Sequence, residues 1–430
     1  MRRNHSRASA GKYPLLVLFV GLFVAWYVWK QSYGNIGPVA HLTGSTRDHI
    51  AFLRTDENGA CNLYIVRSDG TGMRALTNND APKRMPAWSP DGRRLCFAQE
   101  SRTEGAATYQ LYVLGEGAPR QVTYGSISKD MPRWRPDGGL IAFLSGGAIK
   151  VVTPNGSDVE QIYPRPHRGG GATDESGDAQ PTAEDAGGLR RPPIASYRWA
   201  PVGASVVGVQ VMEGENAAVL GQSSWWAQPG AEEAPSVPAG VVEPESLVVL
   251  SHLEAEPFML PGAETVMFDW YPDGRRVLAS LATRQGRHAL VRFRTDEKNL
   301  PVEPVLTADT LTMGAEHPAV SPDGRTVAFE LWRLESGENR TLLGIGAVPA
   351  DAQSPVVIRK AADVAKIRLL VAGDARAPQW SPDGSKLLYT MVRPDGRTDL
   401  YVVAVSGSKA VNLTRGVGDN SDAAWSPARR

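Results

Sequence analysis

Pro86-Ala87-Trp88-Ser89-Pro90-Asp91-Gly92-Arg93-Arg94-Leu95-Cys96-Phe97 is the stretch that decides how this chain folds. Proline sets φ for the second position of a type I turn, aspartate suits the third, and glycine accepts the left-handed conformation that follows. Such a turn, closed by a glycine bulge, joins two antiparallel strands. The incoming strand carries Trp88; the outgoing strand, Leu95 to Ala98, is short and apolar.

The stretch recurs along the chain. Its relatives are Pro132-Arg133-Trp134-Arg135-Pro136-Asp137-Gly138, Tyr197-Arg198-Trp199-Ala200-Pro201-Val202-Gly203 and Phe268-Asp269-Trp270-Tyr271-Pro272-Asp273-Gly274. Pro318-Ala319-Val320-Ser321-Pro322-Asp323-Gly324, Pro378-Gln379-Trp380-Ser381-Pro382-Asp383-Gly384 and Ala423-Ala424-Trp425-Ser426-Pro427 complete the set. The anchors at 88, 134, 199, 270, 320, 380 and 425 are spaced by 46, 65, 71, 50, 60 and 45 residues. The short spacings match a four-stranded propeller blade of ~40–45 residues, and the long ones a blade plus an insertion. Each unit continues with a Leu63-Tyr64-Ile65-Val66-like third strand and a fourth ending in Leu76-Thr77, Val122-Thr123, Leu306-Thr307 or Leu413-Thr414.

The two ends of the array complete one another. Trp425-Ser426-Pro427 has no second strand after it, whereas Ile50-Ala51-Phe52-Leu53 is a second strand with no Trp motif before it. One C-terminal strand joined to three N-terminal strands closes a ring and removes the exposed edges of an open array. The expected fold is therefore all-β, a seven-bladed β-propeller over residues 48–430, with six blades as the alternative.

Composition agrees with that class. Gly 44 and Pro 32 are high in 430 residues, as many short strands and tight turns require. Lys plus Arg and Asp plus Glu are both 46, so no overall field recruits nucleic acid. Cys61 and Cys96 are too few for a disulfide framework; they read as small buried residues, with a bridge between neighbouring blades as the other possibility.

The N-terminus predicts a membrane anchor. A basic tail over residues 1–12 (Arg2, Arg3, Arg7, Lys12) precedes an apolar segment at 13–29 that ends in Trp26, Tyr27 and Trp29. As a helix its 17 residues reach about 25 Å, enough to span a membrane when the flanks lean toward the interfaces. The basic flank predicts a cytoplasmic N-terminus, and the propeller, after a linker at 30–47, lies on the extracytoplasmic side of the cell (inner) membrane. A signal peptide cleaved near Pro38-Val39-Ala40 is the rival reading.

The repeated Trp-Ser-Pro-Asp-Gly hairpin, with Ile-Ala-Phe-like and Leu-Tyr-Val-like strands after it, resembles the TolB family of bacterial envelope propellers over roughly residues 48–427. The resemblance implies the fold and leaves the function open. Seven units rather than six, and the lack of an α/β domain ahead of the propeller, are departures from TolB itself.

With the Pro-Asp-Gly turns called the bottom, second strands run upward and the loops after them lie on top. The insertions at about 164–193 (fourth to first strand) and 213–245 (second to third strand) therefore decorate the top face. Both are rich in Gly, Pro and acids, a composition that predicts mobility. Trp225 and Trp226 are the apolar exception, read either as a local cap or as contacts for a partner. The first-strand ends add Lys83, Arg84, Lys129, Asp130, Glu316, His317, Arg376, Asp419 and Asp422 to the upper rim, a mixture of signs read as solvated charge. Candidate binding residues are Trp225, Trp226, Arg84, Asp130, His317, Arg376 and Asp422.

No nucleophile elbow, phosphate-binding loop, Cys-x-x-Cys pair or His-Glu-x-x-His motif occurs, and the seven histidines are scattered. No cofactor or catalytic residue is expected. Prolyl-oligopeptidase-type enzymes set such repeats beside a hydrolase domain, for which there is no room after Trp425. The expected role is a scaffold binding a protein or envelope polymer at the top face, and the alternative is a channel-active propeller enzyme such as a polysaccharide lyase.

Overall fold

The repeated turn folds as its residues dictate. Ser89 Oγ–H donates to Asp91 Oδ1 at 2.5 Å and accepts from Arg94 N at 2.9 Å, while Gly92, at φ 68°, donates its N–H to Ser89 O. The pattern repeats at Ser321–Asp323 and Ser381–Asp383, where the serine hydroxyl and the backbone N–H two residues past the aspartate hold each carboxyl below its ordinary pKa. The turns stay tight because side chains satisfy the backbone groups that a hairpin leaves open.

This computed structural model describes residue 42 and residues 47–103, 106–163, 194–202, 206–211, 245–250, 258–259, 265–282, 288–295, 302–308, 312–334, 340–351, 354–407 and 409–427. They form seven antiparallel sheets in chain order. The first strands of the second to seventh sheets are Lys83–Trp88, Asp130–Trp134, Ile194–Trp199, Thr265–Trp270, Met313–Val320 and Ala375–Trp380. In the first sheet the C-terminal strand Asp419–Trp425 takes that place beside His49–Thr55, with Ile50 opposite Trp425. The complementary ends therefore pair. Contacts run from each sheet to the next, and the first sheet touches both the second and the seventh.

Two devices recur outside the turn. A threonine past the fourth strand accepts an N–H from within the third: Leu63 N to Thr77, Leu111 N to Thr123 and Leu400 N to Thr414. That explains the repeated apolar-Thr pair, whose apolar member (Leu76, Val122 or Leu413) is buried. The core lies between sheets, where Phe97 and Phe143 or Phe329 and Ile345 are fully buried.

One feature departs from the sequence reading, and a second decides between two alternatives it left open. The fifth sheet gains a fifth strand, Val356–Ile358, parallel to Glu303–Ala308. It comes from the third-to-fourth connection of the sixth sheet, which carries the short 3-10 helix Ala361–Lys366 and reaches across to cover a neighbour's open edge. Cys61 and Cys96 are free thiols, so no bridge joins the blades they occupy. Among the described residues no helix is long and apolar enough to cross a membrane. Residues 13–29, both insertions, Trp225 and Trp226 lie outside the described residues.

Candidate functional site

The inner strands are built on two rows of residues. In the first row each tryptophan indole reaches to the preceding sheet and donates to the carbonyl just before that sheet's own anchor. Trp88 bonds Ala424 O at 3.1 Å, Trp134 bonds Ala87 O at 3.1 Å, and Trp270 bonds Arg198 O at 3.3 Å. Trp380 bonds Ala319 O at 3.0 Å and Trp425 bonds Gln379 O at 3.3 Å. A buried indole needs such an acceptor, so the row pins neighbouring sheets together. It is interrupted twice: Trp199 Nε1 is buried with no partner, and the sixth sheet has Val320 where the others have tryptophan.

The second row lies three residues before the anchor. Met85, Met131, His317, Ala377 and Asp422 all have positive φ, at 55°, 50°, 48°, 50° and 49°. The strand register shifts at each of these points, between Arg84 and Ala87 for instance. Non-glycine residues rarely take this conformation. The freed backbone N–H groups find carboxylates: Met85 N donates to Asp422 Oδ2 at 3.2 Å and Ala377 N to Glu330 Oε1 at 2.7 Å.

Between the two rows and the turns lies a cavity of about 1420 Å³, lined by corresponding segments of all seven sheets. Prolines from the turns form its collar, Pro90, Pro136, Pro272 and Pro322 among them. Its charged wall consists of Arg93, Arg94, Arg133 and Arg198 with Asp91, Asp137, Asp269 and Asp422. Arg198 Nη1 meets Asp269 Oδ1 at 2.9 Å, and the other oxygen of Asp269 accepts Val320 N at 2.9 Å. Thus the interrupted sector is tied by a carboxylate instead of an indole.

Of the described binding candidates, Asp422 alone lines this cavity. Arg84 pairs with Asp130 at 2.9 Å and lies 3.6 Å from the centre of the Tyr109 ring. His317 Nδ1 lies 3.0 Å from Glu330 Oε1, which raises the imidazole pKa against the opposing effect of burial. Arg376 pairs with Asp374 at 2.8 Å. The reading of the rim as solvated charge is wrong for two lysines. Lys83 is buried, and its ammonium donates to Cys61 O, Asn79 O, Asn79 Oδ1 and Ala81 O. Lys129 is buried and donates to Ile127 O. Long side chains fold back to carbonyls that a strand pattern does not reveal.

The sequence reading missed Arg133 and Arg198. The signal was available, because both precede an anchor tryptophan, and strand alternation turns that position toward the channel when the tryptophan faces a neighbouring sheet.

An array of radially packed four-stranded sheets around a channel defines a β-propeller. No protein-family model and no curated protein matches the chain. Among solved structures, the β-propeller domain of the Trilobed protease from Pyrococcus furiosus is 12% identical with a TM-score of 0.53, covering 86% of this chain and 95% of its own. An oligogalacturonate lyase in complex with manganese is 13% identical with a TM-score of 0.52, covering 86% of this chain and 85% of its own. TolB from Acinetobacter baumannii is 14% identical with a TM-score of 0.46, covering 95% of this chain and 72% of its own. At such identities the likeness is one of fold, and the fold is that of a β-propeller.

Proposed function

We propose that the protein is an extracytoplasmic binding scaffold: a seven-bladed ring, held at the membrane by residues 13–29, that engages a protein or envelope polymer through its top-face insertions. The observation that carries this reading is the position of the insertions' feet. The 213–245 insertion springs from a strand pair that stays in register up to Val211 opposite Glu245. The 164–193 insertion leaves after Glu160–Tyr163, the outer strand of the third sheet, and returns at Ile194 in the fourth. Both pairs of feet stand on adjacent sheets, at the face opposite the Pro-Asp-Gly turns. A rigid sheet array supporting long loops on one face supplies specificity at little cost to the core.

The test is removal of both insertions, or replacement of Trp225 and Trp226 by alanine, followed by crosslinked recovery of partners from cell envelopes. Recovery should be lost while the melting temperature stays within a few degrees of the parent. Undiminished recovery overturns the loop-face reading. Depolymerisation of a uronate polymer by the purified chain, abolished by His317→Ala, moves the function to channel catalysis.

A further inference from the structure

The cavity wall holds four arginines and four aspartates, so its formal charge is balanced. Their hydrogen bonding is not. Every aspartate is already engaged. Asp91 accepts from Ser89 and Arg93 N, and Asp137 from Arg135 and Gly139 N. Asp269 accepts from Arg198 and Val320 N, and Asp422 from Met85 N. Among the arginines, Arg94 lies 4.7 Å from the centre of the Trp134 ring, Arg198 is shared with Asp269, and Arg93 stands exposed on its turn. Arg133 is different. It is half-buried in the wall, and its side chain makes no hydrogen bond or ion pair with the described residues.

Its surroundings increase the imbalance. Burial and the like charge of Arg198 both lower the Arg133 pKa, with Tyr197 and Asp422 acting weakly the other way. Arginine remains protonated at neutral pH all the same. A guanidinium on the cavity wall whose five donors no described residue uses, beside a second guanidinium, is free to bind an acceptor that enters. Its position is fixed, because Trp134 is bonded to Ala87 O and Arg133 pairs in register with Ala142. The adjacent Tyr197 hydroxyl donates to Met131 O at 2.8 Å and makes no hydrogen bond with Arg133.

We propose that the channel contains an anion site in which Arg133, supported by Arg198, takes the carboxylate or phosphate group of a small ligand. The planar fork of arginine matches either oxyanion with two parallel N–H···O bonds. The proline collar surrounds the less polar part of the molecule, and the volume exceeds what a single anion needs. Trp88, Trp134 and Trp270 are buried between sheets and offer no free ring face to a ligand. The site stands whether or not the insertions engage a partner.

The test is calorimetric titration of the full chain in detergent at low salt, one arm with inorganic phosphate and one with succinate. Saturable binding of one equivalent is expected in at least one arm, and the stronger arm identifies the oxyanion class. Arg133→Gln should weaken that binding about 10- to 100-fold, as loss of a charge-assisted pair implies. Arg133→Lys should fall between the two, because it keeps the charge and loses the fork. Arg102→Gln, at an exposed arginine remote from the cavity wall, should change nothing. If Arg133→Gln does not melt like the parent, Arg133→Lys alone decides. Failure of both anions to bind, unchanged affinity in the Arg133 variants, or an equal loss in Arg102→Gln overturns the site.

Discussion

The seam that closes the array and the sector around Val320 solve one problem in different ways. Where the C-terminal strand meets its neighbours, indole N–H groups do the joining: Trp425 reaches Gln379 O and Trp88 reaches Ala424 O. Gln379 Nε2 answers with a bond to Ala423 O, and Arg54 Nε reaches Asn420 Oδ1 across 366 residues of sequence. At the joints between the third and fourth sheets and between the fifth and sixth the same row fails. Trp199 finds no acceptor, the sixth sheet has no tryptophan, and the Arg198–Asp269 pair carries the connection to Val320 N. An indole–carbonyl link is neutral and buried. An arginine–carboxylate link leaves polar atoms at the channel wall. The unengaged Arg133 stands next to this second kind of joint, so the sector that gives up girdle regularity is the one with chemistry to offer.

The largest expected effect lies at the closing seam. Deleting residues 419–430 removes the strand that pairs with His49–Thr55, along with Trp425 and the acceptor for Trp88. Folded domains are stable by only ~5–15 kcal/mol. The truncated chain should therefore lose its cooperative thermal transition in circular dichroism and elute as an aggregate. A truncation that melts like the parent would show that the two ends contribute nothing to each other.

The next effect sharpens the contrast between the two kinds of joint. Trp134→Phe removes both ring volume and a hydrogen bond, whereas Trp199→Phe removes ring volume and a buried N–H that has no partner. Urea denaturation should find the first substitution costlier by about 1 kcal/mol, the net value of a typical hydrogen bond. Equal costs would mean that the girdle bonds contribute no stability.

The smallest effect is a pH dependence at the rim. The hydrogen bond to Glu330 raises the His317 pKa, so the folded protein holds this proton more tightly than the unfolded chain. The resulting stabilisation is present in full below the ordinary histidine value of about 6.5 and disappears as pH rises through the folded-state pKa. His317→Gln should accordingly cost more melting temperature at about pH 5.5 than at about pH 8.5. A variant whose deficit does not change with pH would remove the pair from the account.

What the sequence made legible was local or repeated. The turn could be read from Pro90, Asp91 and Gly92 because each residue type has its own conformational reason to be there. The seam could be read because Ile50–Leu53 lacked a first strand and Trp425 lacked a second. The row of left-handed residues was illegible: Met85, Met131 and Ala377 have no side-chain property that announces positive φ, which arises from how the inner strand bends. Lys83 was misread because its carbonyl acceptors come from three other residues that only the folded chain gathers. Arg133 was visible as a variable position in a fixed motif, yet its significance depended on every nearby aspartate being occupied.

Pairing the first described strand with the last has a consequence in time. His49 N and Ser426 Oγ are bonded although 377 residues separate them, which at ~5–20 residues per second is about 20–75 s of synthesis. Throughout that interval the His49–Thr55 strand, buried along almost its whole length in the finished protein, has one side open to any other extended chain. The other sheets take all four inner-to-outer strands from one stretch of sequence and can form as they emerge; the first cannot. Its assembly is therefore the slow, non-local event of folding, and the seam that holds the mature ring together is also where a nascent chain is most exposed to pairing with a neighbour.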